Sequence, residues 1–365
     1  MVLGIIPQNY QRFRHTVLTS KPTNQQERII KMIAYSVILV VSLIGNILIP
    51  AVILSNTNMK KPTNYFILNM AISDLIIPIL VVSRELLLLS TQSSEWLVKG
   101  ALGNLLCKIV HFFGGVTIAV SILSLILITI DRFIAVVYPM KHYIMSSKTC
   151  KVSVTATWLV GMSMFSIYLY IFEIRNIDGV DECLALWYKI DEELAASFEI
   201  KHYSTLFFLL VAIPVVVMAV AYTIIIVSLK RQSSHLGDSL SDRQKRQRVE
   251  RERKIVRMAI AIIVTFVISY IPVYVVKFMD LFVYNDGTPP TCFLITFGDV
   301  ASFCLSSNAA VNPCIVFIFS QNFRHGFIQM LAKIGTVKTR NIRQQQPTNQ
   351  HEMLNMAYEN DILQQ

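Results

Sequence analysis

Seven long apolar runs constrain this chain more than any other feature. They lie at about Ile29–Leu54, Tyr65–Ser90, Asn104–Val137, Lys148–Phe172, His202–Leu229, Ile255–Leu281 and Cys292–Phe319. Each reaches or exceeds the roughly 20 residues a helix needs to cross about 30 Å of hydrocarbon. They are apolar all round, where a soluble helix would carry one apolar stripe. Only 15% of residues are charged, against about 25% in an ordinary soluble domain. The expected fold is an all-α membrane protein, a bundle of seven transmembrane helices.

Lysine and arginine orient the bundle. The connections after runs one, three and five hold Lys60, Lys61, Lys141, Lys148 and Lys151, then the dense RQKRQRVERERK of Arg243–Lys254. Basic loops stay in the cytoplasm, so this set is cytoplasmic and the N-terminus outside. The bases of the N-terminal tail, Arg12, Arg14, Lys21, Arg28 and Lys31, oppose that reading and are outweighed by the loops. The net charge of +10 is then a topological signal, and no nucleic-acid partner is expected. The first 28 residues lack a basic segment followed by a sustained apolar one, so no cleavable signal peptide is expected. The first helix would serve as the targeting signal.

Within ILITIDRFIAVVYP, Ile126 to Pro139, an acid and a base adjoin at the end of an apolar run. Charge at mid-bilayer costs about 2.5–3.5 kcal/mol per residue on insertion scales. Cys107 precedes Arg132 by 25 positions, which is about 37 Å of helix. Cys107 therefore sits at the outer face and the pair Asp131–Arg132 at the inner one, where it reaches water.

These residues, with others in order along the chain, resemble the rhodopsin-like (class A) G protein-coupled receptors, and among them the peptide receptors. The resemblance runs from about Ile33 to Phe327. It rests on Gly45–Asn46 in the first run, LNMAISDL around Asp74 in the second, and DRF at Asp131–Phe133 in the third. Trp158 marks the fourth run, Pro214 with Tyr222 the fifth, FVISYIP at Phe266–Pro272 the sixth, and NAAVNP at Asn308–Pro313 the seventh. SQNFR at Ser320–Arg324 resembles the start of a short amphipathic eighth helix. The domains are then an extracellular tail over 1–28, the receptor bundle over 29–319, helix eight over 320–334 and a disordered cytoplasmic tail over 335–365.

The resemblance implies roles. Arg132 pairs with Asp131 and with Glu252 at the foot of helix six while inactive, and faces a heterotrimeric G protein once helix six swings out. Met140 is the apolar knob that enters the G protein, and Tyr222 belongs to the same switch. Ile122, Pro214, Phe266, Tyr270 and Pro272 transmit motion from ligand pocket to switch, together with Asn312 and Pro313. Asp74, Ser121, Asn308 and Asn312 are the companions of an allosteric sodium ion; the bland alternative makes Asp74 a structural acid satisfied by neighbouring hydroxyls and amides. No other cofactor is expected. Cys107 and Cys183 both fall outside, where oxidising conditions permit a disulfide, and the resemblance makes them the bridge between helix three and the second extracellular loop. Cys150, Cys304 and Cys314 read as small hydrophobes. The location implied is the plasma membrane, in contact with its lipid.

Three positions depart from the family pattern. Val316 stands where the seventh-helix Tyr belongs, Tyr270 replaces a Trp, and Phe133 replaces a Tyr. The tail after Arg324 offers only Thr336, Thr339, Thr348 and Tyr358 for phosphorylation, and no Cys near helix eight. Weak arrestin recruitment follows, with Ser233, Ser234, Ser239 and Ser241 of the third loop the better substrates. No Asn-x-Ser/Thr sequon is present, so N-glycosylation is not expected.

Gly114 stands where amine receptors place an Asp, and Ser306 where an opsin carries its retinal lysine, so neither ligand is expected. The segment Glu173–His202 carries Glu173, Asp178, Asp181, Glu182, Asp191, Glu192, Glu193 and Glu199 against Arg175, Lys189 and Lys201. Such a field steers a cationic ligand, which points to a basic, amidated neuropeptide; ordinary solvated loop charge is the alternative. ECLALWYKI around Cys183 reads as part of a hairpin. Arg84, Glu85, His111, Tyr274, Lys277 and Asp299 are candidate ligand contacts, with Arg84 and Glu85 open to being an internal pair. A non-peptide ligand, or a non-signalling decoy suggested by Val316, are the alternatives. No nucleophile–base pair or metal cluster reads as an enzyme.

Overall fold

The structure is a computed structural model; it describes residues 25–140, 145–177, 179–234, 240–283 and 291–332. Among these residues seven long helices follow one another: α1 Gln25–Ser55, α2 Pro62–Thr91, α3 Gly100–Val137, α4 Ser147–Phe165, α5 Ala195–Ser233, α6 Leu240–Phe282 and α7 Cys292–Phe319. A shorter α8 spans residues 321–332. All but α4 are long and apolar enough to cross a membrane taken alone. Helix α4 opens on Lys148 and Lys151 and carries several Ser and Thr. Its apolar stretch is completed by the single turn Tyr168–Ile171.

The bundle has an apolar exterior, and its interior mixes a large apolar core with a set of buried polar residues. On α1 the outward residues Ile30, Ile33, Val37, Val40, Ile44 and Ile47 are exposed, while Ser42 and Asn46 are buried. Asn69, Ser73, Asp74, Ser121, Ser124, Asn308 and Asn312 are buried in the same interior. Hydrocarbon accounts for both features: it accepts the exposed apolar side chains and drives the few polar ones inward to find partners. Close contacts set the packing. A Cβ on Gly45 would meet the Pro313 ring at 2.5 Å, so α1 and α7 touch only because that side chain is absent. Asn69 accepts from the Trp158 indole at 2.9 Å and donates to Ser124 at 2.9 Å and Thr157 at 3.1 Å, joining α2, α3 and α4.

Two helices widen to π-turns beside prolines. Pro78 begins one, Pro78–Val82, within α2, and Pro214 follows the other, Phe208–Ala212, within α5. Each ring removes a backbone donor and crowds the carbonyl four residues back; for Pro214 that carbonyl, on Leu210, lies inside the wide turn, which absorbs both effects. Pro272 and Pro313 lie inside continuous helices.

The structure corrects three boundaries. The basic run Arg243–Lys254 is not loop but the N-terminal extension of α6; its Arg, Lys, Glu and Gln are good helix formers with no Gly or Pro to stop them. Helix α5 starts at Ala195, so Glu199 and Lys201 belong to a helix and the loop between α4 and α5 is shorter than expected. Its hairpin pairs β1 Phe172–Ile177 with β2 Val180–Ala185, Ile174 opposite Cys183. Only ECLA of the segment expected around Cys183 is strand; Trp187–Lys189 turns into a 3-10 helix. Helix α8 buries Phe323 and Gly326 and exposes Arg324 and His325. The N-terminal tail up to residue 24, Asp178, Ser239 and the tail from residue 333, with its hydroxyls, lie outside the described residues.

Candidate functional site

At the end of the bundle where α3 finishes, Arg132 is the hub. Helix α3 carries it near its C-terminal end, where it stays 7% exposed beside a fully buried Asp131. Its Nη2 donates to Asp131 Oδ2 at 2.6 Å and its Nε to the same oxygen at 3.1 Å. Its Nη1 donates to Glu252 Oε2 on α6 at 2.9 Å. Nη2 also donates at 2.7 Å to the Thr63 hydroxyl, which in turn donates to Asp131 Oδ2. One guanidinium thus joins α2, α3 and α6. Thr63 was missed in the sequence because it lies outside the quoted motifs; Pro62 as the first residue of α2 is what sets it at the helix mouth. A cavity of about 430 Å³ opens beside the hub, lined by Lys61, Thr63, Arg132, Glu252, Met258 and Phe323 among others. Met140 stands free at 89% exposure. Tyr222 is buried, its hydroxyl 3.5 Å from Thr129 Oγ1. Val316 is fully buried and offers that phenol no polar partner.

Midway through the bundle, Asp74 accepts from Asn312 Nδ2 at 2.8 Å and is faced by the Ser121 hydroxyl. Asp74 Oδ1, Asn308 Oδ1 and Asn312 Oδ1 are buried without a protein hydrogen bond. Buried unsatisfied oxygens are costly, and hard oxygen donors of this kind suit a small hard cation or ordered water. The expected sodium companions therefore fit such an ion. Nearby, Phe266 and Tyr270 stack at 4.3 Å on α6, and Ile122, Pro214 and Pro313 are buried, with Pro272 half-buried.

At the outer end the Cys107–Cys183 disulfide, Cα–Cα 5.7 Å, pins the hairpin to α3. His111 lies beneath it, fully buried, its Nδ1 2.7 Å from the Cys107 carbonyl and its ring stacked on Phe172 at 3.9 Å. Both sulfurs are committed to each other, so the cluster Cys107–His111–Cys183 offers a metal only one imidazole. His111 supports the hairpin and is sealed from the mouth. Lys277 is 1% exposed, paired with Glu199 at 2.6 Å and set 4.2 Å above the Tyr203 ring. Asp299 accepts from Lys31 at 3.0 Å. Tyr274 packs edge-on to Phe207. Arg84 is no ion pair with Glu85; its guanidinium lies 4.6 Å over the Trp96 ring. The candidate ligand contacts are thus divided: Lys277 and Asp299 are ion-paired to other helices, whereas Arg84 rests on Trp96 without an ion pair among the described residues.

Of the loop acids, Glu173 is paired with Lys189, Asp181 lies 3.7 Å from Lys99, and Glu182 accepts from Ser94. Lys189 as hydrogen-bond donor holds the Glu173 carboxyl below the ordinary carboxylate range; partial burial opposes this, while the charges of Lys189, Arg175 and Lys108 add to it. Glu192 and Glu193 stay exposed at the rim.

The family model of the seven-transmembrane receptors of the rhodopsin family matches residues 45–315. Somatostatin receptor type 1 of Rattus norvegicus is 29% identical over 299 residues, covering 81% of this chain and 70% of that protein. The substance-P receptor of Aquarana catesbeiana is 28% identical over 295 residues, 81% and 68% of the two chains. Neuropeptide FF receptor 2 of Mus musculus is 27% identical over 311 residues, 80% and 70%.

Proposed function

The chain belongs to the rhodopsin family of seven-transmembrane receptors, and from that premise we propose that it carries an extracellular peptide signal to a heterotrimeric G protein. It is a multi-pass membrane receptor and not an enzyme. The relatives named above are receptors for peptides, and this supports a neuropeptide as the ligand. The acidic rim of Glu192 and Glu193 supports a basic one, steered by charge. In the plasma membrane, with its N-terminus outside, the hairpin faces the ligand and the Arg132 hub faces the cytoplasm.

The observation that carries the reading is the Arg132 hub. While Arg132 bonds Asp131, Thr63 and Glu252, α6 is held against α3 and the cytoplasmic face is closed to a G protein. The Arg132–Glu252 pair is partly solvated and worth about 1 kcal/mol, so a ligand with a modest preference for the open arrangement shifts the balance. Opening releases Arg132 toward the partner and leaves Met140 to insert beside it. A sodium ion on Asp74, Ser121, Asn308 and Asn312 would hold the closed arrangement by neutralising the buried carboxylate. Lipid covers the apolar belt, and arrestin recruitment is weak because the tail after Arg324 carries few hydroxyls.

The test is a screen of basic amidated peptides in cells that express the chain with a promiscuous G protein, run beside Arg132→Ala. The expected result is a response in the wild type that falls at least tenfold in Arg132→Ala at equal surface level. Binding of such peptides without nucleotide exchange would favour the non-signalling reading suggested by Val316.

A further inference from the structure

The outer ends of the helices hold much charge, and most of it is neutralised within the protein. Lys277 has Glu199, Lys31 has Asp299 and Glu27, Lys189 has Glu173, and Lys99 has Glu95 and Asp181. Arg84 differs. No described carboxylate lies within ion-pair distance of its guanidinium, and its Nε is buried without a hydrogen-bond partner. The group rests 4.6 Å over Trp96, whose backbone N–H is fixed to the Asp181 carbonyl at 2.7 Å. Glu182 acts on it only at longer range and accepts instead from the Ser94 hydroxyl. Glu85 follows Arg84 directly, and adjacent helix positions do not face one another.

Its place in the bundle gives this charge a use. Val81, one helical turn deeper on α2, lines a small gap with Gly114, Tyr270 and Ser306 between α2, α3, α6 and α7. Arg84 therefore lies about one turn nearer the end of α2 than this gap, at the level of Trp96 in the loop after α2. A half-buried guanidinium whose Nε is sealed from water gains from a partner, and an indole face offsets only part of the cost, about 0.5–2 kcal/mol. The planar fork of a guanidinium matches a carboxylate through two parallel hydrogen bonds, a geometry that neither an amide nor a hydroxyl reproduces with charge.

We propose that Arg84 receives a carboxylate of the extracellular ligand. The peptide then carries an anion, either a free C-terminus or an Asp or Glu side chain, beside the basic residues attracted by the rim. This inference rests on the receptor reading above and narrows it: a peptide that is amidated and lacks acidic residues leaves Arg84 without its partner.

The experiment uses the full chain in cells with a promiscuous G protein and a synthetic peptide library in matched sets. Each peptide is made as free acid and as C-terminal amide, and with Asp or Glu replaced by Asn or Gln. The expected result is that active peptides carry a carboxylate and that one of these replacements weakens half-maximal response at least tenfold; which one does so identifies the source of the anion. Arg84→Gln weakens the parent peptide by a similar factor and abolishes the difference between the matched members, while Arg84→Lys retains part of it. Surface labelling confirms that each variant folds. Active peptides indifferent to neutralisation of every carboxylate, a preference that survives Arg84→Gln, or a screen with no carboxylate-bearing active peptide overturns the proposal. Ligand-free exchange by Glu252→Gln separates the two readings. Exchange there without a carboxylate preference removes only the anion, whereas no exchange under any condition removes the receptor reading as well.

Discussion

Arg132 owes its position to three acceptors on three helices, and only two of them were legible in the sequence. Asp131 adjoins it, and Glu252 occupies the place that the family resemblance assigns. Thr63 has neither mark: a threonine at a helix start is ordinary, and only the fold brings it across from α2. Its hydroxyl accepts from Arg132 and donates to Asp131, so removing it leaves both charges less satisfied. Thr63→Ala should raise ligand-free nucleotide exchange by about twofold to fivefold, the range expected for one hydrogen bond to a charged group after partial compensation. The measurement is exchange on a purified heterotrimer at equal receptor concentration. A fall in basal exchange would mean that Thr63 supports the open arrangement instead. Among the outer residues, sequence reasoning grouped Lys277, Asp299, His111 and Arg84 together as polar handles. The structure separates them, because whether a charge is already paired depends on long-range contacts such as Lys31 to Asp299.

Elements were more legible than their ends. Each long apolar run became a helix, since hydrocarbon admits little else. The ends moved where local propensity carried a helix past the membrane: α6 continues through its basic run and α5 begins early enough to include Glu199. Apolarity marks where a helix enters lipid and is silent on where it stops in water. The hairpin is a further element with a testable anchor. Because Glu173 is held below the usual carboxylate range by Lys189, its contribution is complete at neutral pH, above the unfolded value. It fades as pH falls through the depressed folded value. Hydrogen exchange of the β1 amides should therefore quicken as pH drops below about 4, the unperturbed carboxylate range, after correction for intrinsic exchange. Lys189→Met should remove that dependence. An unchanged profile in Lys189→Met would show that the pair does not anchor the strand.

For the whole molecule, the helical bundle with an apolar exterior was foreseen from the seven runs, and the buried oxygens around Asp74 give its interior a function to test. If a sodium ion favours the closed bundle, replacing potassium by sodium should weaken agonist binding about threefold to tenfold, a coupling of about 1 kcal/mol typical of linked sites. Asp74→Asn should erase the difference while Asn312 Nδ2 loses its charged acceptor. Sodium sensitivity that persists in Asp74→Asn would place the ion elsewhere. The central claim, that the Arg132–Glu252 pair holds the cytoplasmic face closed, has a direct measurement. Purified receptor in lipid discs, without ligand, is mixed with a heterotrimeric G protein and nucleotide release is timed for the wild type and Glu252→Gln. Loss of a pair worth about 1 kcal/mol predicts release about fivefold faster in the variant. Equal rates from two well-folded receptors would contradict the account.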